Sequence, residues 1–96
     1  MIEVRQTEVF SKWFRGLRDR LARVRIQARV DRMQAGNAGD VKPVGEGVSE
    51  MRINYGPGYR VYFTHRGSEL IILLAGGDKS SQADDIRKAI KMAKEL

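Results

Sequence analysis

The chain has 96 residues and no cysteine. Eighteen Lys and Arg stand against twelve Asp and Glu, a net charge of +6. That length suits one compact domain, residues 1–96, with a small core; it excludes a second domain, disulfides and thiolate metal sites. The basic balance favours a polyanion or an acidic protein as partner. The opening MIEVRQTEVF lacks the apolar run of a signal peptide or membrane span, so a cytoplasmic protein is expected.

The charge is uneven. Residues 1–36 carry nine basic and four acidic groups, residues 37–78 four and five, and residues 79–96 five and three. In chain order, Ile2 and Val4 alternate with Glu3 and Arg5, the period of a short strand. Thr7 can cap a helix whose Phe10, Trp13, Phe14 and Leu17 fall on one stripe. Asp19 can cap a second helix running to about Gln34, with Ala22, Ile26, Val30 and Met33 as its apolar face. Two helices joined this closely predict an antiparallel hairpin, ended by Gly36 and Gly39.

Residues 37–48, NAGDVKPVGEGV, read as a loop with one short extended piece at Val41–Val44. Strands follow at 49–54, 58–65 and 69–77. A last helix begins at Ser80 or Ser81, with Ser81 and Asp84 spaced as a capping box. Its apolar stripe is Ala83, Ile86, Ile90 and Ala93, and its charges suit the helix dipole. The order is β-α-α-β-β-β-α, an α+β domain: an antiparallel sheet with a helical hairpin on one face and a C-terminal helix.

Side-chain alternation assigns faces. Met51, Ile53, Val61 and Phe63 are odd and apolar; Glu50, Arg52, Arg60 and Tyr62 are even. A five-residue connection YGPGY sets Ile53 opposite Val61 and Arg52 opposite Tyr62. A four-residue turn would drive cations into the core, at the cost of burying unpaired charge. A two-residue turn at Arg66-Gly67 sets Phe63 opposite Leu70 and Val61 opposite Ile72. Leu70, Ile72 and Leu74 then join the core, while Ile71, Leu73 and Ala75 share the face of Arg60. On this reading Arg52, Arg60, Tyr62 and Lys79 gather on an open sheet face. Adjacent cations repel, so the face implies either a bound anion or neutralisation by Glu50 or Asp78.

The segments GDVKPVGEGVSEMRINYGPGYRVYF (39–63) and LLAGGDKSSQADDIRKA (73–89) resemble the RelE/ParE superfamily of bacterial toxin–antitoxin toxins. Within it they look closest to the phage Gp49-like, HigB-type addiction-module killer branch. The resemblance covers nearly the whole chain. It implies a toxin held inactive by a cognate antitoxin, in this branch often of helix-turn-helix type. It further implies a metal-independent endoribonuclease that enters the ribosome and cuts mRNA by attack of a ribose 2′-OH on the adjacent phosphate. No cofactor is implied. Carried over, Arg60 would hold the scissile phosphate and Arg52 would be a second phosphate ligand. Lys79 would stabilise charge or donate to the leaving oxygen, and Tyr62 would stack on a base or hydrogen-bond to it. Arg20, Arg23, Arg25, Arg29 and Arg32 would meet ribosomal RNA. His65, the only histidine, falls on the opposite face and reads as structural. The prototype's lysine pair and C-terminal tyrosine have no counterpart here. A ParE-like, non-enzymatic gyrase poison and a basic binding module without catalysis are the competing readings.

Overall fold

The computed structural model describes residues 1–96. Strand β1 (Glu3–Gln6) is followed by helices α1 (Glu8–Arg15) and α2 (Arg20–Gln34), then strands β2 (Val41–Gly45), β3 (Val48–Arg52), β4 (Arg60–Arg66) and β5 (Leu70–Gly77). A 3-10 turn (Lys79–Ser81) leads into α3 (Gln82–Lys94). The strands form one sheet in the order β1-β5-β4-β3-β2. All neighbours are antiparallel except β1, which runs parallel to β5. The α+β layout is the expected one, with two additions. The extended piece at Val41 is a full edge strand, where Pro43 loses no ladder bond it needs. The parallel pairing of β1 makes the sheet mixed.

Both predicted caps form. The Thr7 hydroxyl oxygen accepts from the Phe10 N–H at 3.1 Å, and its own O–H donates to the Leu74 carbonyl at 2.7 Å. One side chain thus starts α1 and ties it to β5. The Asp19 carboxylate accepts from the N–H groups of Leu21 and Ala22. Gly36, at φ 91°, takes the left-handed conformation that ends a helix without Cβ strain. The capping box at Ser81 does not form: the Ser81 hydroxyl donates instead to Asp85 at 2.5 Å.

The sheet is covered on both sides. On one face Phe10 of α1 and Ile26, Val30 and Met33 of α2 pack on Met51, Ile53, Val61, Phe63, Ile71 and Leu73. On the other, Ala89, Ile86 and Ile90 of α3 pack on Val48, Tyr62, Ile72 and Leu74. Ala83 is exposed and drops out of the predicted stripe, which is Ile86, Ala89, Ile90 and Ala93.

Two registers differ from expectation. Between β3 and β4, Met51 pairs with Val61 and Arg52 with Arg60. The shift is two residues, so the faces survive and the two arginines become direct cross-strand neighbours. Between β4 and β5, Arg66 pairs with Leu70 across residues 67–69, a three-residue turn rather than the two-residue one expected. That odd slip reverses every side chain in the first part of β5. Ile71 and Leu73 therefore enter the main core, while Ile72 and Leu74 share the face of Tyr62. A bulge between Tyr62 and Phe63 then absorbs one residue of β5, so that Tyr62 faces Ala75 and Arg60 faces Gly77.

Candidate functional site: a cationic cleft at the sheet end

Where β3 ends and β4 begins, the chain must cross residues 53–59. Gly56 and Gly58 take positive φ there, which lets the loop fold back tightly. The cleft beneath this loop has a volume of about 460 Å³, and Arg52, Arg60 and Lys79 all line it. Each comes from an element end: Arg52 closes β3, Arg60 opens β4 and Lys79 follows β5. Lys79 is held beside the loop by its backbone N–H, which donates to the Pro57 carbonyl at 3.4 Å. Asp40 is the one carboxylate in the lining.

Two carboxylates answer the repulsion between the paired arginines. Asp40 lies 2.7 Å from the Arg52 guanidinium, and both side chains are exposed. The hydrogen bond from Arg52 holds the Asp40 carboxyl below its ordinary range, and the same contact raises the Arg52 guanidinium. Asp78, the other neutraliser that the sequence suggests besides Glu50, does not reach the arginines. It instead accepts from the Ser80 hydroxyl at 2.5 Å and the Ser80 N–H at 2.8 Å, which lowers its pKa. Glu50, the other candidate, does approach Arg60, with its Oε2 4.0 Å from Arg60 Nε.

Tyr62 is not on an open surface. It is fully buried beneath α3 and its hydroxyl donates to Glu50 Oε2 at 3.1 Å. Burial first, and then the charge of Glu50, raises the phenol far above its ordinary value, so it stays a proton donor. Gln82, in the first turn of α3, donates to the same oxygen at 2.9 Å. The expected stacking or hydrogen-bonding role of Tyr62 toward a base is therefore corrected. Parity gave its face rightly, but the apolar side of α3 covers that face. Glu50 was legible through the same parity. Gln82 had no sequence signal.

The five arginines of α2 do not act alike. Arg29 donates to the carbonyls of Arg52 at 2.6 Å and Ala38 at 3.0 Å, stapling α2 to the sheet end, and desolvation lowers its pKa. Its assignment as an RNA contact is corrected for that reason: its donors serve the fold. Arg23 donates to the Leu17 carbonyl. The Arg25 guanidinium lies 4.9 Å over the Tyr55 ring, and the Tyr55 hydroxyl donates to Asp19 at 2.8 Å. That bond lowers Asp19 and raises Tyr55. Arg20 and Arg32 are exposed. His65 is exposed at the far end of β4, edge-on to Phe63.

A larger groove of about 560 Å³ lies beside Trp13, Gly76 and Gly77, but it mixes Lys12 and Lys88 with Asp78 and Asp85. No group of three or more His, Asp or Glu side chains is placed to hold a metal ion. No helix is long and apolar enough to cross a membrane. Arg52, Arg60 and Lys79 converge on one cleft with a single carboxylate, an arrangement that accepts a phosphate or similar anion; Arg25, Arg29 and Arg32 line a second, smaller cleft on α2 that holds no carboxylate.

A small α+β domain with cations gathered at one sheet end is the class that fold and site define. Residues 12–96 match the phage-derived Gp49-like (DUF891) family, and the chain belongs to it. It is a family of addiction-module toxin-like proteins. An uncharacterized protein of Haemophilus influenzae is 45% identical over 95 residues, spanning 99% of this chain and 96% of that one.

Proposed function

We propose that this protein is the toxin of a type II toxin–antitoxin module, of RelE/ParE type, and that it arrests translation by cutting mRNA on the ribosome. The observation that carries this reading is the convergence of Arg52, Arg60 and Lys79 on one cleft. Attack of a ribose 2′-OH on the neighbouring phosphate builds negative charge on the phosphoryl oxygens and the leaving 5′-oxygen. Groups already positioned to stabilise that charge lower the barrier without reorganising. Arg60 lines the cleft and its terminal guanidinium nitrogens make no hydrogen bond within the protein, and a planar guanidinium matches two phosphate oxygens. Arg60 is therefore assigned to the scissile phosphate. Lys79, in the lining of the same cleft, stabilises or protonates the leaving oxygen. Arg52 is the second phosphate ligand and exchanges Asp40 for the phosphate when RNA binds. The antitoxin, of helix-turn-helix type, silences the toxin by covering this cleft or the basic first helices.

The test is primer extension on ribosome-bound mRNA with purified protein. Wild type should give new ends phased with the codon in the A site. Arg60→Ala should lower their yield by about 100-fold or more with an unchanged circular dichroism spectrum. Intact messages with induction of the DNA-damage response would replace this reading with gyrase poisoning. Full cleavage by Arg60→Ala would exclude Arg60 as the phosphate ligand.

A further inference from the structure

Glu50 is a poor choice for its site on stability alone. It is 1% exposed, on the sheet face where Val48, Tyr62, Leu74 and Ala89 form an apolar cluster. An aliphatic side chain would fill that space without desolvating a carboxylate. Its Oε2 accepts from two neutral donors on separate elements, Tyr62 of β4 and Gln82 of α3. The carboxylate is thus fixed from two directions before any cation is counted. Arg60 Nε lies 4.0 Å from the same oxygen and is buried with no hydrogen-bond partner.

We propose that Glu50 is a positioning residue for Arg60: held by Tyr62 and Gln82, it fixes the guanidinium at the cleft electrostatically without consuming its hydrogen-bond donors. The distance is what makes this work. A direct bidentate pair would satisfy the guanidinium and turn its fork away from a ligand. At 4.0 Å the attraction persists, because a buried pair is little screened, while the terminal nitrogens of Arg60 stay available to the cleft it lines. The same carboxylate offsets the repulsion from Arg52, the direct cross-strand neighbour of Arg60. Arg52 has an exposed partner, Asp40, that water and ligand can displace; Arg60 has a buried one that they cannot. Within the phosphate reading on which this inference rests, Arg60 is the fixed ligand and Arg52 the exchangeable one.

A double-mutant cycle tests it, read by the affinity of a short single-stranded RNA and by the Nε–H resonance of Arg60 in NMR spectra. Glu50→Gln keeps the shape and an acceptor for Tyr62 and Gln82 while removing the charge. It should weaken RNA binding about tenfold in the wild-type background and less than about twofold in Arg60→Ala. The Arg60 Nε–H signal, slow to exchange with solvent in wild type, should shift and exchange faster. Equal losses in both backgrounds, or no loss with an unmoved Nε–H signal, would overturn the proposal. If Arg60→Ala itself binds RNA as wild type does, the phosphate reading fails; the Nε–H signal in Glu50→Gln then decides the positioning role by itself. Should Glu50→Gln fail to fold, Tyr62→Phe removes one of the two donors that fix the carboxylate. It should weaken binding about threefold, again only when Arg60 is present.

Discussion

One face of the sheet presents Met51, Ile53, Val61, Phe63, Ile71 and Leu73 to α1 and α2, and all of these side chains are buried among apolar neighbours. The other presents Val48, Tyr62 and Leu74 to α3, then gives way along the same face to Glu50, Arg60 and Arg52. The first face is uniform and closed. The second grades from apolar packing, through a hydrogen-bonded carboxylate, to an open cationic cleft within a few residues. The contrast shows how a domain this small holds both a core and a charged site. One side of the sheet supplies most of the burial, and the other uses a single short helix to shield the groups that aim the site.

The comparison can be broken from either side. Phe63→Ala on the closed face should destabilise the protein by about 3–5 kcal/mol, measured by urea unfolding. A loss comparable to that of a surface substitution would mean this face is not the dominant core. Gly76→Ala comes next, because a Cβ there would overlap the Trp13 ring. The ring or the strand must shift, at about 1–3 kcal/mol; an unchanged melting temperature would show that Trp13 moves away freely. On the graded face, Gln82→Ala removes one donor from the buried Glu50 and should cost about 1 kcal/mol. It should lower RNA affinity more than its effect on stability would suggest.

The smallest effect belongs to the cleft rim. Asp40 is held below its ordinary value of 3.8 by Arg52. Its contribution is present in full above that value and is lost as pH falls through the depressed one. Wild type should therefore melt slightly above Asp40→Asn at neutral pH, and the two should converge in acid. A gap that persisted at the lowest pH would assign the difference to shape rather than to charge.

Much of this was legible in the sequence, and the misses share a cause. The caps at Thr7 and Asp19, the stripe of Ile26, Val30 and Met33, and the common parity of Glu50, Arg52 and Arg60 are local patterns, and local physics fixes them. The first part of β5 was reversed because a strand without a polar side chain, LIILLAGG, has no alternation to correct a misjudged turn length. Tyr62 was placed on the right face but in the wrong environment. Alternation says which residues share a surface, and only the destination of α3 says whether that surface is covered. Arg29 was read with its neighbours as a solvent-facing cation. Nothing in its helical position announces that three carbonyls, one at the end of β3 and two in the loop after α2, need a donor.

At the end of β5, Gly76 lies under the Trp13 ring of α1 and Gly77 lies under the Asp85 carboxylate of α3. The two helices approach from opposite sides with little more than a backbone between them. The N-terminal half of the chain and its C-terminal helix are thus neighbours through a thin waist rather than across a thick core. A push on either helix has a short mechanical route to the other, ending at Gly77, two residues before Lys79.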